Sequence, residues 1–271
     1  MAKHRVVLGI SYQGQNYYGW QVQVDRATVQ AEVEAAVSQF ITTPTQVVCA
    51  GRTDTGVHAI NQVVHLDTDA TRSENSWVRG VNSFLPPDIR IKWAKHVASD
   101  FHARFDAEER TYLYVLRNHP VHSAILKGLV GWFHLPLDLE HMREAAQYLV
   151  GQHDFTSFRS SECQAHSPIR TIHHLHIRKH GNLFIFSIKG NAFLHHMVRN
   201  IIGSLVYVGK GKYRAEYMSE LLALRDRKYA APTFMADGLY LSHIHYPEKS
   251  GINELIPELD MDDGLSYVLD A

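Results

Sequence analysis

Gln46-Val-Val-Cys-Ala50, Gly51-Arg-Thr-Asp-Thr-Gly-Val-His-Ala59 and Gln62-Val-Val-His-Leu-Asp67 are the three consecutive pieces from which the rest of the chain is best read. The first and third are rich in valine and read as strands; the middle one is punctuation between them. Gly51 and Gly56 bracket a single carboxylate, Asp54, and glycine lets a backbone bend sharply and come close to a partner. A bare Asp-Thr-Gly is often only a turn, because Asp bonds its own backbone and Gly accepts positive φ. Arg52, two residues before Asp54, raises this loop above a turn. A guanidinium near a carboxylate keeps it ionised, which a nucleophile or charge stabiliser requires.

Working outward, His4 to Ile10 reads as a first strand, followed by the aromatic and amide-rich loop Ser11 to Gln21. Such side chains can stack on bases or cap a core. Thr28 is placed to cap a helix reaching Phe40, with Val29, Val33, Val37 and Phe40 on one face. Ser73 caps a second helix with Trp77, Val81 and Phe84 inward, stopped by Pro86-Pro87. Ile89, Ile91 and Trp93 alternate with Arg90 and Lys92, a half-buried strand. The order β-α-β-β-α-β is a split βαβ pattern, which predicts an α+β layer with an antiparallel sheet. In the second half, Thr111 to Leu116 alternates, with Tyr112, Tyr114 and Leu116 on one face. Asp138 caps a helix carrying Leu139, Met142, Ala145, Ala146 and Leu149, ended by Gly151. His153 to Arg159 reads as a loop, Thr171–Lys179 and Leu183–Lys189 as a hairpin, Phe193–Val208 and Ala215–Leu224 as helices, and Gly238–His245 as the last strand. The fold expected is therefore α+β: two split-βαβ units, ferredoxin- or RRM-like, with antiparallel sheets that join. The divisions expected are 1–104, 105–247 and an acidic tail, 248–271.

With 271 residues and 45% apolar side chains the chain can pack one large or two ordinary domains. No apolar run nears the roughly 20 residues that span a bilayer, the N-terminus lacks a secretory pattern, and Cys49 and Cys163 form no framework. A cytoplasmic, reducing setting is the default. Net charge is −1, but residues 248–271 hold seven acids against Lys249, leaving +5 on residues 1–247. A basic body suits a phosphate-rich partner without requiring one.

The Gly51–Ala59 loop closely resembles the signature of the TruA family of tRNA pseudouridine synthases. Gly19-Trp20-Gln21, Arg110-Thr-Tyr112, His153-Asp-Phe155 with Phe158, Phe193-Leu-His-His-Met-Val-Arg199 to Gly203, and Gly238-Leu-Tyr-Leu241 resemble further motifs of that family, in order, from about residue 9 to 241. The resemblance implies Asp54 as catalytic nucleophile, Arg199 as its ionic partner, Tyr112 and Leu239 against the target base, and Arg52 in exposing it. It implies uridines 38, 39 and 40 of the tRNA anticodon stem-loop as targets, and a homodimer holding one tRNA. His195, where tyrosine is common, and the long lead Thr233-Phe-Met-Ala236 depart from the pattern.

The chemistry agrees with a lone carboxylate. Moving a uracil from N1 to C5 passes through an oxocarbenium-like sugar, which a carboxylate can meet as in glycoside hydrolysis. The detached base is itself the returning nucleophile, so a second acid aimed at water is not needed, and neither is a cofactor or metal. The target base must leave its stack and be held by aromatic or apolar groups. An aspartic protease would need a second Asp-Thr-Gly sharing a proton, and the chain has one. Nineteen histidines show no His-Glu-x-x-His or Cys/His metal spacing. A non-catalytic RNA-binding module is the remaining rival; its Arg/Lys-Gly-Phe consensus is absent.

Overall fold

A computed structural model describes residues 3–258; the end of the expected acidic tail, 259–271, lies outside the described residues. The chain is mixed α/β and divides into two compact units, Met1–Glu109 with Tyr240–Glu258, and Arg110–Leu239.

The first unit follows the predicted element order: β1 (His4–Tyr12), α1 (Val29–Ile41), β2 (Val48–Cys49), β3 (His58–Thr68), α2 (Glu74–Asn82) and β4 (Ile89–Val97). β1 pairs antiparallel with β3 on one side and β4 on the other, Val7 facing His65 and Lys95. The long β3 gives its other edge to two partners. β2 takes one end antiparallel, Cys49 opposite Val64, while β10 (Leu239–His245) takes the other end in parallel, Tyr240 opposite His58. That parallel pairing departs from the all-antiparallel sheet expected: the last strand was legible, but no local pattern announces that it pairs with a strand so far away in the chain. Val29, Val33 and Val37 are buried on α1 and Trp77 and Val81 on α2. The Ser73 hydroxyl accepts the Ser76 N–H as predicted, whereas Thr28 occupies the cap position of α1 without a side-chain capping bond. Phe84, expected inward, is exposed, because α2 ends at Asn82 and the chain has already turned toward Pro86. Residues 248–258 pack on this unit: Ile252 and Ile256 are buried, Asn253 bonds the Tyr246 backbone in both directions, and Lys95 donates to the Gly251 carbonyl.

The second unit is built on β5 (Glu109–Asn118). It pairs with β9 (Leu183–Gly190), β9 with β8 (Ile169–His180), and β8 with β7 (Gly151–Asp154), all antiparallel, while β6 (Gly131–Phe133) lies parallel to β5. The hairpin closes with His180 opposite Leu183 and Gly181 at φ +55, a two-residue turn of the kind that needs positive φ. The helices are α3 (Leu139–Gln147), α4 (Met197–Gly209) and α5 (Tyr217–Leu224). α3 starts on Asp138, which accepts the His141 N–H, but it stops at Gln147; Gly151, at φ +108, opens β7 instead of ending the helix. The stretch expected as the loop 153–159 is therefore partly strand, followed by a 3-10 turn at Thr156–Phe158. α4 is shorter than its apolar pattern suggests. His196 sits at φ +62, so Phe193 to His196 form a non-helical lead.

Candidate active site

The Asp54 loop is fixed by backbone groups of the first unit. The Thr53 carbonyl accepts the Trp20 N–H at 3.0 Å, and the Thr53 and Tyr12 hydroxyls lie 2.7 Å apart. Val57 N–H returns to the Asp54 carbonyl at 3.1 Å, Gly56 N–H reaches the Tyr17 carbonyl at 3.3 Å, and Gln62 donates to the Gly51 carbonyl at 2.6 Å. Gly56 does adopt φ +79, whereas Gly51 does not take positive φ and a Cβ there would meet nothing within 4 Å. The second steric requirement falls on Gly19 instead. It sits at φ +83, and a Cβ would lie 2.7 Å from the Thr53 carbonyl oxygen and 3.1 Å from the Asp54 carbonyl carbon. The Gly-Trp-Gln loop is thus a wall of the Asp54 loop. Thr53 is buried, Asp54 half-buried and Arg52 exposed.

His58 follows the loop, fully buried, its ring stacked on Tyr240 at 4.6 Å. Its Nδ1 accepts the Gly14 N–H at 3.1 Å, so the ring carries its proton on Nε2. Tyr17 donates to Asp88 at 2.6 Å, and burial, with that carboxylate, pushes the Tyr17 hydroxyl well above the usual phenol range. Cys49, at the end of β2, is held as the thiol: burial pushes it up to about 11.

In the second unit β5 organises the other three predicted residues. Tyr112 is half-buried and meets Phe193 edge-on at 5.2 Å, in the lead to α4. On the same face Tyr114 packs edge-on against Phe234 at 5.9 Å and donates to the Met235 carbonyl at 3.0 Å. Phe234 in turn holds Arg199: its carbonyl accepts the arginine Nε–H at 2.9 Å, and its N–H donates to the Arg199 carbonyl at 3.2 Å. Engaging Nε orients the guanidinium plane. Leu239 is buried, reached through Gly238, where a Cβ would lie 2.2 Å from the Val115 carbonyl oxygen.

Gly19, His58, Asn200 and Phe234 lie in stretches the sequence singled out but were given no role of their own, and Tyr12 was only part of the aromatic loop. Asn200 is buried; it donates to the Phe158 carbonyl at 2.7 Å and accepts from Thr233 at 2.6 Å and Arg227 at 3.1 Å. Thr233-Phe-Met-Ala236, noted as a departure, is the strip that α4 grips through Arg199 and Asn200. On α4 the sequence singled out Arg199; the buried amide beside it, Asn200, was the further signal to follow.

A tRNA pseudouridine synthase family model matches residues 10–106 and 145–247. The chain is 52% identical over 248 residues to tRNA pseudouridine synthase A of Paraburkholderia phytofirmans, covering 92% of each chain. It is 54% identical over 253 residues to the enzyme of that name from Bordetella parapertussis, covering 93% of this chain and 94% of the other. Among solved structures, the archaeal box H/ACA sRNP Nop10-Cbf5 complex matches at 12% identity with a TM-score of 0.36, over 86% of this chain and 59% of that one. The chain belongs to the tRNA pseudouridine synthase family, enzymes that isomerise uridine to pseudouridine in tRNA. No helix among the described residues is long and apolar enough to cross a membrane.

Proposed function

We propose that Asp54 is the nucleophile of this isomerisation, that Arg199 is its ionic partner, that Tyr112 and Leu239 hold the target base, and that Arg52 helps to expose it. The targets are uridines 38, 39 and 40 of the tRNA anticodon stem-loop, and the working form is a cytoplasmic homodimer. The finer fold that goes with this reading is a split βαβ arrangement in each half. The first half carries the catalytic loop, the second the residues that meet the base.

The observation that carries the reading is the bracing of the Asp54 loop through Thr53, with Gly19 closing it from the side. A carboxylate that must meet a short-lived sugar cation gains from being positioned in advance. As the C1′–N1 bond breaks, its electron pair leaves with the uracil and the Asp54 carboxylate meets C1′. The uracil turns, C5 bonds to C1′ as the bond between C1′ and the Asp54 carboxylate breaks, the hydrogen on C5 departs as a proton, and N1 takes a proton up. Each atom of the substrate is retained except for that exchange with water, so the sequence consumes no cofactor.

The test uses tRNA transcript tritiated at uridine C5. Wild-type protein releases label to water, and Asp54→Asn binds the same tRNA with unchanged affinity and releases none. Turnover by the Asn variant above one-hundredth of wild type removes Asp54 from the role. Release with modification mapped outside positions 38–40 leaves the nucleophile standing and overturns the target assignment.

A further inference from the structure

The two units differ sharply in charge. Residues 110–239 contain sixteen Lys and Arg against nine Asp and Glu, whereas residues 1–109 with 240–258 contain eleven against fifteen. Within the second unit, no acidic residue occurs between Glu162 and Glu216, a stretch with eight Lys and Arg. It ends in Gly209-Lys-Gly-Lys-Tyr-Arg214, the turn that closes α4. Gly211 at φ +76 sharpens this turn, with Gly211 N–H on the Val208 carbonyl and Lys212 N–H on the Tyr207 carbonyl.

That turn gathers cations onto half-buried rings. The Lys210 ammonium lies 3.7 Å from the Tyr207 ring centre and 5.8 Å from that of Phe133. The Lys212 ammonium lies 4.9 Å from Tyr207 and 5.3 Å from Tyr213. Tyr213 stacks on Tyr217 at 4.0 Å, and beyond Phe133 the rings of His134 and Trp132 continue the surface at 5.4 and 5.8 Å. Among the described residues neither Lys210 nor Lys212 makes an ion pair; Arg214, next along, is taken by Glu220 at 3.3 Å. Two ammonium groups sharing one tyrosine repel each other, and the carbonyl end of α4 relieves this only in part. An anion bridging both removes the repulsion, and the rings around them hold the lysines in place beforehand.

We infer that the Lys210–Tyr213 turn is a second RNA-docking surface, taking two backbone phosphates and one stacked base outside the target loop. Phosphate spacing and flat faces side by side are what single or frayed RNA strands offer. α4 rises about 1.5 Å per residue, so the eleven steps from Arg199 to Lys210 place the turn roughly 16 Å along the helix from Arg199. The surface rests on the tRNA reading above.

The experiment measures tRNA binding against NaCl concentration for wild type, Lys210→Gln/Lys212→Gln and Lys210→Arg/Lys212→Arg, together with pseudouridine formation at saturating tRNA. Losing two phosphate contacts is expected to flatten the log Kd–log salt slope by roughly 1.5–2 and to weaken binding at least tenfold at low salt, with kcat unchanged. The Arg pair keeps the wild-type slope, and Tyr213→Leu weakens binding without changing it. Unchanged slope and affinity in the Gln pair overturns the surface. Absence of pseudouridine from wild type in every tRNA tried overturns the reading it rests on, and the slope still reports on the surface.

Discussion

At the scale of single residues, the glycines that bracket Asp54 in sequence are not equivalent, since Gly56 takes positive φ and Gly51 does not, and the tightest constraint falls on Gly19. Gly19→Ala forces a left-handed residue to carry a Cβ, a strain of about 1–2 kcal/mol, and drives it into the Thr53 carbonyl. A displacement of even ~1 Å at a reacting group can cost on the order of a hundredfold in rate. The expected outcome is a lowered melting temperature and a kcat reduced tenfold or more, measured by tritium release. Gly51→Ala, into open space, leaves both within twofold. His65 gives the pH prediction. Its Nδ1 accepts the Ala103 N–H at 3.1 Å, and burial, helped by Arg5 and His102, lowers its pKa to about 4. An unfolded histidine titrates near ~6.5, so between these values the unfolded chain binds more protons than the folded one. Stability is therefore complete above that upper value and falls as pH drops toward the lower one. His65→Gln flattens the melting temperature over that window; an unchanged slope shows that another group is responsible.

At the scale of elements, what was legible followed the period of the pattern. The alternation of Tyr112, Tyr114 and Leu116, the stripe on α1, the Ser73 and Asp138 caps and the Gly181 turn are local signals, and each element formed. The misplacements share one cause, competition from distant contacts. Phe193 to His196 has helical composition, yet Phe193 is drawn to Tyr112 and His196 turns left-handed. β6 and β7 are only three and four residues long and exist by pairing with β5 and β8. Asp54 could be singled out because its motif is contiguous. Its supports could not, since they come from residues 12 to 20 and reach the loop only through folding. The grip of α4 on the 232–236 strip is testable. A Cβ on Gly203 would lie 2.3 Å from the Pro232 carbonyl oxygen. Gly203→Ala is expected to cost about 1–3 kcal/mol by overpacking and, by shifting Phe234, to lower kcat tenfold or more with little change in tRNA affinity. Loss of stability with full kcat in the folded fraction would mean that the Phe234 brace does not serve Arg199.

At the scale of the whole molecule, charge is sorted by unit, and the modest net value hid it because the sum runs over both. The division of the chain into units also does not follow its sequence order. The first unit is interrupted after Glu109 and resumes at Tyr240, and β10 supplies the parallel partner at the His58 end of β3. This has a meaning in time. A ribosome adding on the order of 10 residues per second needs roughly 13 s to make the 130 residues between those points. Through that interval the β3 edge beside His58 waits without its partner, and the second unit is complete only at Leu239, where β10 itself begins. The loop bearing Asp54 leads directly into that unfinished edge, so it is fully backed only once the whole basic unit has been made. The chain is nearly finished before it is equipped to alter RNA.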